Sequence, residues 1–326
     1  MNVLGRAREP FLFVINFDCS EFIIEPLRTV NPDEIKYSMN DDFIHFRNYV
    51  GPESGLPQSI LIQKELIAFE LYEQAFKEVI KNLHYGNSFL TNLTVETPIS
   101  SNYSFEDLFA FARAKYKLLV KDKFLSFSPE SFIRITPEGK VSSFPMKGTI
   151  EASRENAREI ILSDQKEKYE HTTIVDLIRN DLSRICDKVW VDRFRYLDTI
   201  YRQDGSRLLQ VSSEVCGQLN GDWRSRIGDI LLNLLPAGSI SGAPKDKTVE
   251  IINSAEKYTY LNGGRGFYTG VFGIFDGEKL DSAVLIRFIE KKGNGLVFKS
   301  GGGITARSDC RKEYDELISK IYVPIL

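Results

Sequence analysis

Residues 131–185 read SFIRITPEGKVSSFPMKGTIEASRENAREIILSDQKEKYEHTTIVDLIRNDLSRI, and the fold class turns on how this stretch changes its period. As far as Phe144, short apolar runs flank Pro137-Glu138-Gly139, the pattern of a β-hairpin. From Ser153 onward the pattern is long, charged and helix-compatible, with Ser153 as N-cap and Glu155 in the first turn. A break near Leu162-Ser163-Asp164 divides it into two helices. Working outward, strands are expected at 10–16, 60–64, 208–219, 267–275, 280–289 and 295–299, and in SFLTNLTVET after a turn at Gly86-Asn87. Helices are expected at 65–84, Asp107 to Lys117, 224–235, 245–256 and Ser308 to Ile321, the last capped by Ser308. In the first of these, Ile67, Leu71, Ala75, Val79 and Leu83 recur at four-residue spacing. Many strands with helices grouped between them, and no strict βαβ alternation, predict an α+β layered fold.

The bulk properties exclude several classes. Of 326 residues, 42% are hydrophobic and 27% charged, the balance of a globular protein. A net charge of −3 offers no basic face for nucleic acid. The opening MNVLGRAREPFLFVINFD lacks a signal-length apolar run with a small-residue cleavage site. Apolar runs such as Phe11 to Ile15 and Ile230 to Leu235 are too short to span a bilayer. Cys19, Cys186, Cys216 and Cys310 are scattered, without a CxxC pair, and read as reduced thiols of a cytoplasmic protein.

Three features could carry chemistry. Glu167 and Glu170 lie three apart on one expected helix, and Glu313 and Glu316 on another, so each pair shares a helical face. Oxygen donors without His or Cys suit a hard cation such as Mg²⁺, and the same spacing suits a solvated surface. Glycines cluster in LLPAGSISGAPKDK, LNGGRGFYTGVFG and FKSGGGI, where they serve either as tight turns or as bare backbone approaching an anion. None is a Walker loop, since Lys245 follows Ala-Pro. Lys147, in SSFPMKGTI, follows an apolar Phe-Pro-Met, where an amine that loses its proton becomes a nucleophile. An exposed lysine before a turn would read the same way.

From about Ala68 to the C-terminus the chain resembles the chorismate-utilising enzymes: the anthranilate synthase large subunit, aminodeoxychorismate synthase component I, and the isochorismate and salicylate synthases. The resemblance is carried, in order, by PMKGT, EHTTIVDLIRNDLSR, SEVCGQL, PAGSISGAPK, RGFYTGVFG, IRF and GGGITARSDCRKEYDELISK. It implies one large domain of two stacked antiparallel sheets flanked by helices, over 68–326, with 1–67 as a short N-terminal segment packed into the same fold. It also implies roles. Glu170 and Glu316 would bind Mg²⁺ directly, with Glu167 and Glu313 holding metal-bound waters. Tyr268 and Arg287 would bind the enolpyruvyl carboxylate of chorismate. Gly301, Gly302, Gly303, Ser239 and Gly242 would line the pocket, and Lys320 would lie near the ring carboxylate.

The resemblance divides at Lys147. Anthranilate synthases carry alanine in this motif and aminodeoxychorismate synthases carry lysine, whose amine is taken to attack the ring before ammonia does. Leu90 of SFLTNLT replaces the lysine with which isochorismate and salicylate synthases activate water. Gln210 replaces a histidine linked to pyruvate loss in anthranilate synthase. Both departures fit an aminated product that keeps its enolpyruvyl group, on the way to p-aminobenzoate and folate. Cys216 sits in VCGQ, not in the GxCxG elbow of an amidotransferase, so ammonia would come from solution or a separate glutamine amidotransferase subunit. No LLES-type motif is present, FDCSEFIIEP being the nearest segment, so feedback inhibition by tryptophan is not expected. An anthranilate synthase large subunit and a non-catalytic binding protein of the same family are the alternatives.

Overall fold

A computed structural model describes residues 1–40, 43–51, 61–201, 206–260 and 263–324. It contains two nine-stranded sheets and an α+β order of elements. In the first sheet the order is Met146–Glu151, Arg207–Gln218, Lys140–Ser143, Ser131–Ile135, Leu280–Val284, Val271–Phe275, Phe11–Ile15, Phe22–Pro26. Lys188–Tyr201 also pairs with Arg207–Gln218. In the second the order is Gly242–Ala243, Leu90–Ser101, Gly295–Ile304, Phe288–Lys292, Phe124–Ser128, Tyr116–Val120, Ile35–Asn40, His45–Arg47, with Ile62–Lys64 on Leu90–Ser101. Antiparallel registers such as Gly301↔Thr94 and Phe288↔Ser126 bear out the expected α+β class of antiparallel sheets with helices.

The chain groups into two compact units. One comprises Met1–Phe11, Ser131–Ser239 and Ile274–Ser282; the other comprises Leu12–Glu130, Ile240–Gly273 and Ala283–Leu326. In the first, Val175, Ile178 and Leu182 of the Gln165–Ser183 helix are buried, as are Val211 and Val215 of the longest strand pair. In the second, the Phe69–His84 helix buries Tyr72, Ala75, Phe76, Val79 and Leu83 with Leu93, Val95, Ile304 and Leu317.

Several expectations need correction. The first long helix starts at Phe69, and its core face is led by Tyr72 and Phe76, while Leu71 is exposed. The helix at Asp107 ends at Phe111, because YKLLV from Tyr116 is buried on both faces and forms an inner strand. The 280–289 strand is two strands, Leu280–Val284 and Phe288–Lys292, with Arg287 left-handed between them (φ +50). Residues 267–270 form a turn before Val271–Phe275. Asp309, not Ser308, caps the last helix, its side chain accepting the Lys312 N–H. Ser153 caps nothing; Asn156 precedes the Ala157–Ser163 helix. Of the strand expected at 60–64, Ile60 lies outside the described residues and the strand formed is Ile62–Lys64; Leu261-Asn262 of the second glycine cluster also lie outside the described residues. The break at 162–164 stands as expected, with Asp164 capping Gln165–Ser183 by accepting the Glu167 N–H.

Candidate active site

In the first unit, the site is built on a slip of register. Met146 pairs with Ser212 and Thr149 with Gln210, so three steps on one strand oppose two on the other and Lys147-Gly148 bulge out. Gly148 is left-handed (φ +85), and a Cβ there would lie 2.7 Å from Glu167 Oε2. Glycine therefore permits both the bulge and the approach of the carboxylate. The Lys147 ammonium lies 3.0 Å from Glu170 Oε2, and Lys166 reaches the other oxygen at 3.9 Å. Glu170 is mostly shielded from solvent, whereas Lys147 is about one-third exposed at 38%. Lys147, Glu167 and Glu170 are thus brought together.

Glu167 is the unusual member. Its Oε2 is buried and has no hydrogen-bond partner among the described residues. Burial raises its pKa above the ordinary carboxylate range; Lys147 opposes this, while Glu170 and Asp164 add to it. A buried acceptor without a donor is costly in a protein held together only by its own contacts. One helical turn on, His171 is fully buried with Nε2 2.7 Å from Ser213 Oγ. In the same unit, Ser239 follows Gly238, whose hydrogen faces Asp181: a Cβ would meet Oδ2 at 2.7 Å. Asp192, Glu214 and Cys216 also cluster there, but Lys140 lies 3.1 Å from Asp192 and Arg193 3.2 Å from Glu214. That trio is an ion-pair network.

In the second unit, Gly301–Gly303 are not a turn. They continue the Gly295–Ile304 strand and pair with Thr94, Leu93 and Asn92. A Cβ on Gly301 would meet Thr94 Cγ2 at 2.6 Å; one on Gly302 would meet Glu313 Oε2 and Lys320 Nζ, each at 3.7 Å. The bare strand therefore runs beside both side chains. Lys320 donates to the Gly301 carbonyl at 3.0 Å and pairs with Glu316 at 2.9 Å. Gly301, Gly302, Glu313, Glu316 and Lys320 form one group. Gly303 abuts Leu90 Cδ1 (3.2 Å from a built Cβ), and Gly242 (φ +145) lies against the Leu90 carbonyl. Leu90 thus fills space beside the glycine strand with an apolar side chain.

Tyr268 and Arg287 form the second group of this unit. Thr269 donates its N–H to the Leu285 carbonyl and Leu285 donates to Gly270, both at 2.8 Å, tying the two segments together. Burial raises the Tyr268 hydroxyl pKa far above its ordinary value, with Arg265 and Arg287 pulling the other way. Thr269 (φ +62) and Arg287 (φ +50) are both left-handed, a conformation that costs a non-glycine residue energy and gathers at functional sites. The sequence also hid a fully buried pair, Arg265–Glu256. Arg265 Nε donates to both Glu256 oxygens (3.1 and 3.0 Å), Nη1 to the Ile240 carbonyl (2.8 Å) and Nη2 to Asn92 (2.5 Å). It pins its own glycine-rich turn to the Gly238–Gly242 segment and to the Leu90–Ser101 strand, and nine residues of separation gave no periodic signal of it.

The fold is shared with enzymes of the chorismate-binding family. The family model for chorismate binding enzymes matches residues 27–325, and the chain belongs to that family. It is 46% identical over 324 residues to an "Uncharacterized PabA-like protein" of Haemophilus influenzae, covering 99% of this chain and 95% of that one. It is 33% identical over 207 residues to anthranilate synthase component 1 of Aquifex aeolicus, covering 61% of this chain and 39% of that one. Among solved structures, anthranilate synthase component I from Streptococcus pneumoniae superposes with a TM-score of 0.67 at 25% identity, covering 82% of this chain and 60% of that one. Among the described residues no helix is long and apolar enough to cross a membrane.

Proposed function

We propose that this protein is an aminodeoxychorismate synthase component I, converting chorismate and ammonia into 4-amino-4-deoxychorismate and water. The observation that carries the reading is Lys147, held out on a bulge with its amine 3.0 Å from Glu170 and one residue from Gly148, which abuts Glu167. The PabA-like name of the Haemophilus influenzae relative supports the same branch.

The donor set fits magnesium. Glu167 and Glu170 in the first unit, and Glu313 and Glu316 in the second, offer only carboxylate oxygens, and a metal-bound water would satisfy the buried, unpartnered Glu167 Oε2. In this reading Glu170 and Glu316 would be direct ligands, and Glu167 and Glu313 would hold metal-bound waters. Held there, Mg²⁺ would supply positive charge to the ring carboxylate of chorismate and to the hydroxyl that leaves C4. Arg287 takes the enolpyruvyl carboxylate in a two-pronged grip, beside Tyr268. Backbone groups of Ser239, Gly242 and Gly301–Gly303 contact the substrate, and Lys320 faces its ring carboxylate. The neutral amine of Lys147 adds at C2 as hydroxide leaves C4, both ring double bonds shifting by one position (C1=C2 and C5=C6 become C1=C6 and C4=C5), and the amine's proton and the hydroxide depart as water. Ammonia then adds at C4 and expels the lysine, restoring the amine and placing nitrogen para. A separate glutamine amidotransferase supplies the ammonia.

The test is Lys147→Ala, assayed with chorismate, Mg²⁺ and ammonium, with products identified by mass. Formation of the para product should fall roughly hundredfold, a loss of about 2.7 kcal/mol of barrier lowering, with chorismate affinity little changed. Residual product should shift toward the anthranilate-type isomer. Undiminished para product from the alanine variant would rule out Lys147 as nucleophile, and anthranilate from the unaltered protein would favour the anthranilate synthase reading.

A further inference from the structure

The chain that follows the last helix is held at two points. Ile321 is 1% exposed, packed with Phe109, Ala112, Phe127 and Phe298, and the Pro324 carbonyl accepts the Arg113 N–H at 2.7 Å. Between these anchors Tyr322 donates its N–H to the Lys320 carbonyl at 3.1 Å, closing a tight turn. Its ring remains 47% exposed. The guanidinium carbon of Arg287 lies 5.2 Å from the centre of that ring, within reach of a cation–π contact. Arg287 is itself fixed at the backbone, left-handed, with its carbonyl accepting the Phe127 N–H at 3.1 Å. What remains free to vary is the direction of its long side chain. The same turn carries Lys320, which holds the Gly301 carbonyl.

We infer that Tyr322 is a positioning residue for Arg287, its ring holding the guanidinium in the orientation that grips a substrate carboxylate. This rests on the reading that Arg287 binds the enolpyruvyl carboxylate. An arginine stem has several rotatable bonds, and ordering it only on binding costs affinity. A flat aromatic face pre-orders the planar fork while leaving its N–H edge for the ligand. The phenol hydroxyl plays no part, so phenylalanine should serve as well as tyrosine.

The experiment compares Tyr322→Phe, Tyr322→Leu and Arg287→Ala, with the double variant Arg287→Ala/Tyr322→Leu, in the full chain. Chorismate binding is measured by calorimetry with Mg²⁺ present, and steady-state rates are measured with saturating ammonium. Tyr322→Leu should raise the chorismate Kd and KM roughly three- to tenfold with kcat within about twofold, and Tyr322→Phe should match the unaltered protein. In the Arg287→Ala background the leucine change should have no further effect. An unchanged Kd for Tyr322→Leu, or a leucine effect that persists in full without Arg287, overturns the inference. Chorismate binding undiminished in Arg287→Ala would instead overturn the carboxylate assignment, and the inference with it.

Discussion

Gly148 matters for what it lacks. Lys147 beside it was legible because lysine in PMKGT is a chemical choice between branches, whereas the glycine looked like any turn residue. Its role emerges only when the Gln165–Ser183 helix is packed over the strand and Glu167 Oε2 arrives 2.7 Å from where a Cβ would be. Gly148→Ala should therefore act twice. Holding alanine at φ +85 costs about 1–2 kcal/mol of stability, and the methyl group drives the Glu167 carboxylate away. The expected result is a modest drop in the urea midpoint together with a higher Mg²⁺ concentration for half-maximal turnover. A variant that is destabilised yet keeps its magnesium requirement would show that Glu167 has no part in holding the ion. Arg265 and Tyr322 were invisible for a related reason: each matters through a partner that only tertiary structure supplies, Glu256 for one and Arg287 for the other.

Among the elements, those with strong local signals were read correctly and those set by their neighbours were not. The paired helices around Asp164 follow from a long charged, helix-compatible run and the break at 162–164, both local, although the first helix starts at Ala157 after Asn156 and not at a Ser153 cap. The 131–143 hairpin follows from its turn. The long Lys188–Tyr201 strand was missed because its charged residues break apolar alternation, and two irregularities in its register break the period further. Gly301–Gly303 looked like a loop because glycine weakens an isolated strand; here the register with Asn92–Thr94 holds it extended. Asp164 lets the local claim be tested. Its side chain accepts the Glu167 N–H at 3.0 Å, so it fixes the helical turn that carries the site's first carboxylate. Asp164→Ala should cost about 1 kcal/mol in chemical denaturation, with Asp164→Asn close to the unaltered protein. Turnover should fall in the alanine variant by more than the lost stability explains, since the loosened turn misplaces Glu167. Equal turnover in the two variants would show that the cap serves only the helix.

At the scale of the whole molecule, the buried histidine ties stability to pH. His171 is fully buried on the same helix as Glu167 and Glu170, its Nε2 bound to Ser213 and its ring against Phe194. Burial, with a smaller push from Arg195, holds the imidazole neutral and pushes its pKa down to about 4. In the unfolded chain the same ring takes up a proton near its ordinary value of about 6.5. Between these two values the unfolded state binds more protons than the folded one, so stability must fall as pH drops through that window. The contribution is fully present above about pH 6.5 and is lost progressively toward pH 4. At pH 5 the loss from this one group is about 2 kcal/mol, following from the two titration points. Other groups also respond to acid, so the measurement is a double difference: urea unfolding at pH 7 and pH 5 for the unaltered protein and for His171→Gln, both free of divalent ions. Glutamine keeps a polar group near Ser213 but has no proton to gain. The unaltered protein should lose about 2 kcal/mol more than His171→Gln on acidification. Equal losses in the two proteins would mean that His171 takes up its proton in the folded state as readily as in the unfolded chain, and that its burial does not set the acid limit of the fold.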